Sequence, residues 1–232
     1  MNQNTSLPGK YGHRQLSFLN RDANPGTSNP WLLVLMHGVG SNEGDLFGFA
    51  PSVPGNFHVV SLRAPNVVGP GAYAWFAFGV SPQGERTINA AQEAESRQIL
   101  MATVTALSKE LGVPPERVVL GGFSQGGIMA LSLLLTQPGL MHGAMVMHSR
   151  LLPEVLPLMA APADMAGKQL WVSAGSRDQV LPLAQSHAIR DWVKVLPLSL
   201  TYTEFANGHE ITGEELGRAM GWLKSLAGFV AS

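Results

Sequence analysis

The chain has 232 residues, of which 15 are basic and 16 acidic, for a formal net charge of −1. That length can bury a sizeable core in one domain. A content of 45% hydrophobic and 13% charged residues excludes a disordered chain, and the near-neutral charge argues against a nucleic-acid binder, which needs a basic face. Cysteine is absent, which excludes a disulfide scaffold, a Cys-ligated zinc site and a thiol nucleophile.

The amino-terminal MNQNTSLPGKYGHRQ has no apolar stretch behind a basic start, so it does not read as a signal peptide. No apolar run reaches the length of a membrane span. A soluble, cytoplasmic protein is the expectation. Residues Gln15–Leu19 are expected to form an edge strand. Trp31–Met36 (WLLVLM) and Phe57–Leu62 (FHVVSL) read as buried strands. A Gly- and Pro-rich segment, Arg63–Glu85, reads as a loop too long for a plain connector. From about Thr87 to Leu111 the residues Leu100, Val104, Leu107 and Leu111 recur on one face of a helix, which Gly112 and Pro114-Pro115 end. A strand over Arg117–Leu120, a helix over Gln125–Thr136 and a strand over His142–Met147 follow. A strand over Lys168–Ala174, a helix over Leu183–Val195 and a strand over Leu198–Phe205 come next. The last element is an amphipathic helix over Gly213–Phe229, with Thr212 and Glu215 at the spacing of a capping box. No internal repeat and no linker interrupt this alternation. It predicts one α/β domain over residues 1–232, built on a mostly parallel sheet with helices on both faces. Sites in such sheets lie on the loops that leave the carboxyl ends of the strands.

One of those loops carries Gly122-Phe123-Ser124-Gln125-Gly126, a G-x-S-x-G between a strand and a helix. In that setting the serine sits at the apex of a sharp turn, and the crowded positions two before and two after admit only small residues. A serine hydroxyl needs a base, and the base needs an acid to orient it. The chain order expected here is Ser, then Asp or Glu, then His. His187 falls in the middle of a helix, whereas His209 follows the last strand, so His209 is the expected base. Asp164 precedes a strand and Asp191 lies inside a helix. Asp178 leaves the carboxyl end of KQLWVSA through a tight loop and is the expected acid. Glu210 is expected to face solvent or to cap the following helix. The oxyanion donors are expected to be the backbone amides of Gln125, at the helix start, and of Val39, in the loop after WLLVLM. His37 is expected to brace that loop. Met141, Met145 and Met147 read as core. His148 could reach the same end of the sheet.

Other readings of the same residues are weaker. Gly38, Gly40 and Gly44 approach a dinucleotide fingerprint, but the third glycine is one residue late and Arg63 stands where an acid would close the next strand. A catalytically silent hydrolase-fold binding protein would keep the fold without turnover. His209-Glu210 is not part of a zinc motif, and no metal is expected.

Several segments together resemble the phospholipase/carboxylesterase family of α/β-hydrolases, which includes the acyl-protein thioesterases. They are LMHGVGSNEGDL (Leu35–Leu46), LRAPN…GAYAWF (Leu62–Phe76), LGGFSQGG (Leu120–Gly127), SRLLPE (Ser149–Glu154), SAGSRDQVLP (Ser173–Pro182) and ANGHEI (Ala206–Ile211). The resemblance implies an α/β-hydrolase fold, a catalytic triad of Ser124, Asp178 and His209, and an oxyanion hole from the Val39 and Gln125 amides. It further implies hydrolysis of carboxylic esters or thioesters, no cofactor, and often a homodimer. The chain departs from the family at His148, where a small residue is usual, and at Phe78, where a polar one is commoner. The expected substrate is a small to medium apolar ester, with Leu46, Trp75, Phe76 and Leu181 as expected pocket walls. No insertion is large enough for a mobile lid domain.

Overall fold

In the computed structural model, residues 16–80, 82 and 86–229 are described. Gln15 and Glu85, at the edges of two expected segments, lie outside them. Among the described residues, eleven strands and five α-helices follow in chain order. The strands are β1 (Phe18–Arg21), β2 (Trp31–Met36), β3 (Phe57–Leu62), β4 (Asn66–Gly69), β5 (Ala72–Ala74), β6 (Phe78–Val80), β7 (Arg86–Ile88), β8 (Val118–Phe123), β9 (Gly143–Met147), β10 (Gln169–Gly175) and β11 (Ser199–Phe205). The helices are α1 (Glu43–Phe47), α2 (Ala90–Glu110), α3 (Gln125–Thr136), α4 (Leu183–Val193) and α5 (Gly213–Phe229).

Seven strands make the central sheet in the order β1-β3-β2-β8-β9-β10-β11. Only β1 runs antiparallel, paired with β3; the other pairings are parallel. Alternation along each strand divides the apolar side chains between two cores. On β2, Leu32, Val34 and Met36 join one core with α2, α3 and α4. Trp31, Leu33 and Leu35 join the other with α1 and α5. Both faces are therefore covered, as buried parallel strands require. The methionines at 141, 145 and 147 are buried, as expected. Helix α3 is buried over its whole length, which explains its run of apolar residues without a polar face. No helix among the described residues is long and apolar enough to cross a membrane.

The segment expected as one long loop is instead two antiparallel hairpins. β4 pairs with β5 and β6 with β7. The first is stitched to the loop after β2, because Gly40 N donates to Tyr73 O at 2.8 Å and Tyr73 N to Ser41 O at 2.9 Å. Helix α2 starts later than its periodicity suggests. Thr87 pairs with Gly79 in β7, and the Asn89 side chain accepts from Gln92 N at 3.1 Å, which fixes the start at Ala90.

Candidate active site

The carboxyl ends of β8, β9, β10 and β11 lie side by side, and the loops that leave them bring four distant residues together. Ser124 follows β8 and holds φ 54° and ψ −117°, a conformation that costs an L residue of order 1–3 kcal/mol. Its neighbours show why the turn can close. A Cβ on Gly126 would overlap the Met36 carbonyl, and one on Gly122 would overlap the Gly126 backbone. The turn is pinned by Ser124 N donating to Met147 O at 2.9 Å and by Ser149 Oγ donating to Ser124 O at 3.0 Å.

His209 leaves β11 and Asp178 leaves β10. Their loops are tied together where Ser176 N donates to Phe205 O at 2.8 Å and Arg177 N to Asn207 O at 3.0 Å. His209 Nε2 lies 2.9 Å from Ser124 Oγ, and His209 Nδ1 lies 2.7 Å from Asp178 Oδ2. With the Nδ1 proton directed at the carboxylate, Nε2 presents its lone pair to the serine hydroxyl. The Phe123 ring packs at a tilt of 42°, 4.8 Å from the His209 ring. Asp178 Oδ1 accepts from the amides of Val180 and Leu181, each at 2.8 Å. Burial pushes the Asp178 carboxyl up, but the bonds from His209, the Leu181 amide and His148 outweigh it and hold the group below the usual aspartate range.

The rejected candidates have other partners. His187 Nε2 lies 2.7 Å from Glu204 on the exposed side of α4, and Asp191 bonds Arg190 and Lys194. Glu210 is exposed, as expected. His37 braces its loop. Its Nε2 accepts from Ala64 N at 3.0 Å, so Nδ1 carries the proton and donates to Gly38 O at 2.7 Å. Burial holds this imidazole below its ordinary pKa. Arg63 pairs through two bonds with the buried Glu43 and its guanidinium lies 4.8 Å over the Tyr73 ring. It is committed to α1 and the β4–β5 hairpin and does not present itself to a nucleotide phosphate.

The Gln125 and Val39 amides donate to no acceptor among the described residues. Gly38 packs against Ser124, where a Cβ would touch the serine Cβ at 3.4 Å. The Gln125 side chain has a task that its sequence position did not suggest. Its Oε1 accepts from Trp75 N at 2.8 Å and its Nε2 donates to Phe76 O at 2.7 Å, clamping the segment after β5 onto the head of α3. Trp75 Nε1 donates to His37 O at 2.9 Å. Trp75 and Phe76 are thus closed within the α2–α3 core, and Leu46 lies in the opposite core. Leu181 is buried beside Asp178. The apolar side chains that do meet solvent on these loops are Val39, 40% exposed, and Val180, 45% exposed.

His148 follows β9, and the structure gives it more than access to this end of the sheet. Its Nδ1 lies 3.1 Å from Asp178 Oδ2 and its Nε2 lies 3.0 Å from Glu215 Oε2. Glu215 was expected to complete a capping box. Only half the box forms: Glu215 N donates to Thr212 Oγ1 at 3.3 Å, while the carboxylate turns inward to His148, Ser173 and Asn207. No signal in the sequence separates this use of the spacing from a cap. The imidazoles of His148 and His209 and the Asp178 carboxylate lie within 4.8 Å of one another. Their mutual hydrogen bonds account for that proximity without a metal ion. A depression of about 660 Å³ bounded by Ser52, Asn56, Met220 and Lys224 lies by the amino end of β3, away from these residues.

A model of the family described as phospholipase/carboxylesterase matches residues 23–227. The chain belongs to that family. With the phospholipase/carboxylesterase family come the α/β-hydrolase fold and the hydrolysis of carboxylic esters. Esterase YpfH of Escherichia coli is 31% identical over 166 residues, 69% of this chain and 67% of that protein. Acyl-protein thioesterase 1 of Gibberella zeae is 32% identical over 117 residues, about half of each chain at 49%. A Bacillus cereus carboxylesterase crystal structure superposes with a TM-score of 0.76 at 24% identity, covering 91% of this chain and 94% of that one.

Proposed function

We propose that this carboxylesterase is a serine hydrolase that cleaves small to medium apolar esters through an acyl-enzyme on Ser124. The observation that carries the reading is the unbroken line from Ser124 Oγ to His209 Nε2 at 2.9 Å and from His209 Nδ1 to Asp178 Oδ2 at 2.7 Å. His209 takes the proton as Ser124 attacks the ester carbonyl, then delivers it to the departing alcohol. Water enters, His209 takes its proton, and the acid leaves as Ser124 is restored. Asp178 keeps Nδ1 protonated and stabilises the imidazolium at each step. The Val39 and Gln125 amides serve as oxyanion donors. Each such donor contributes about 100–1000-fold in rate, and the Gln125 amide adds the positive end of the α3 dipole.

Val39 and Val180 give the approach to Ser124 an apolar character, with Leu181 buried next to Val180, whereas Trp75, Phe76 and Leu46 are enclosed in the two cores and do not line it. A short acyl chain suits that setting. A thioester is the second reading, favoured by the match to acyl-protein thioesterase 1, and it would use the same residues.

A fluorophosphonate probe tests the nucleophile. One adduct per chain, mapped to Ser124 and absent in Ser124→Ala, is expected. A folded protein that stays unlabelled, or that is labelled elsewhere, would overturn the reading.

A further inference from the structure

Two non-glycine residues have positive φ among the described residues: Ser124 at 54° and His148 at 46°. Nucleophile exposure accounts for the first. The second occurs at the end of the adjacent strand, and its backbone is held by His148 N donating to Ser173 O at 2.9 Å. Side chains with a Cβ hold this region only against strain, so the conformation points to what the His148 imidazole does.

That imidazole is fully buried between two fully buried carboxylates. Nδ1 meets Asp178 Oδ2 at 3.1 Å and Nε2 meets Glu215 Oε2 at 3.0 Å. Each of these oxygens also accepts from elsewhere. Asp178 Oδ2 accepts a hydrogen bond from His209 Nδ1, and Glu215 Oε2 faces Asn207 Nδ2 at 3.3 Å. Glu215 Oε1 accepts from Ser173 Oγ at 2.5 Å. Both carboxylates are thus surrounded by donors. A neutral imidazole has one N–H and one lone pair, and its lone pair would face a carboxylate oxygen. An imidazolium donates to both. The groups facing His148 are Asp178 on the β10 loop, Glu215 on α5 and the His209 ring, edge-on at 5.8 Å. The Phe123 ring lies at 5.6 Å. Burial alone would lower the pKa of His148, yet the bonds and charges of Glu215 and Asp178 outweigh it and raise it, in keeping with the count of donors.

We infer that His148 and Glu215 form a second histidine–carboxylate pair behind the triad, one that positions Asp178 and takes a share of its charge from His209. The inference rests on the triad reading above. His148 is a positioning residue and does not touch substrate. Glu215 holds His148 charged, and Ser173 and Asn207 hold Glu215. Asp178 then carries four hydrogen bonds, two from backbone amides and one from each imidazole, so its carboxylate cannot rotate away from His209. The imidazolium also places a positive charge 5.8 Å from the His209 ring.

The test is the acid limb of kcat/KM on p-nitrophenyl butyrate. In His148→Asn, whose side chain tolerates positive φ, the positive charge is gone and Glu215 is left unbalanced. The limb moves to higher pH by ~0.5 unit or more, kcat falls and KM stays within about twofold. Glu215→Gln moves the limb in the same direction by less, because the far carboxylate is lost along with the imidazolium. A limb that stays in place or moves to lower pH in His148→Asn overturns the inference. Should both variants fail to fold, ¹⁵N spectra of the wild-type protein at pH 7 decide: both His148 nitrogens protonated supports the pair, and a neutral ring overturns it. Fluorophosphonate labelling of Ser124 in wild type and variants keeps the two readings apart. Labelling that persists while the limb fails to move rejects the second pair and leaves the triad standing.

Discussion

The Asp178 side chain is buried, and its ionised form persists because its lone pairs are used. The two loop amides and two imidazoles that donate to it replace the water it loses. Its folded-state pKa lies below the ordinary 3.8, so the charge contributes stability at all pH above about 4 and loses that contribution as pH falls through the folded value. The acid limb of activity therefore does not arise from this group. Asp178→Asn would retain an acceptor for the loop amides but turn an N–H toward His209, favouring the tautomer that cannot accept the serine proton. A fall in kcat of about 10⁴-fold is expected. The stability gap to wild type, followed by urea unfolding, should narrow as pH drops from 4 toward 2. A gap that widens there would mean that Asp178 is not ionised in the native state.

The loop and helix that follow β2 show how an element rather than a residue would set the geometry of the proposed oxyanion donors. Glu43 opens α1 and is buried, and Arg63 at the end of β3 is its bonded partner. Burial pushes Glu43 up, and the Arg63 bonds bring it below its ordinary range. Removing Arg63 strands a buried carboxylate, which costs about 3–5 kcal/mol where no other cation can substitute. Arg63→Met should therefore lower the urea midpoint and reduce kcat several-fold with little effect on KM, because the Val39 loop shifts while the triad stays. Unchanged kcat in a destabilised variant would uncouple α1 from the donor loop. The same scale separates what the sequence exposes from what it hides. The long apolar runs of β2, β3 and β8 and the 3.6-residue period of α2 are legible because burial dictates them over many residues. The hairpins β4–β5 and β6–β7 are not, because strands of three or four residues are too short to carry a period. Glu215 is hidden for another reason: Thr212 and Glu215 have the spacing of a cap, and only the tertiary position of His148 turns the carboxylate inward.

Across the whole molecule, the parallel order β8-β9-β10-β11 delivers Ser124, His148, Asp178 and His209 to one end of the sheet from positions 85 residues apart at the extremes. The chain order Ser, Asp, His and the strand–turn–helix setting of Ser124 make three of the four readable before any coordinates. The fourth, His148, reads in the sequence only as able to reach this end of the sheet, because its second carboxylate partner comes from a helix sixty-seven residues away. The pocket is the least legible part, since Trp75 and Phe76 turn into the core under the clamp of Gln125, while Val39 and Val180 meet solvent. Substrate preference is a property of this whole arrangement, and one measurement addresses it together with the nucleophile. A series of p-nitrophenyl esters from acetyl to palmitoyl, assayed with wild type and Ser124→Ala in parallel, should give turnover that peaks at short acyl chains and disappears in the variant. Turnover by a folded Ser124→Ala protein at the wild-type rate would contradict the central claim.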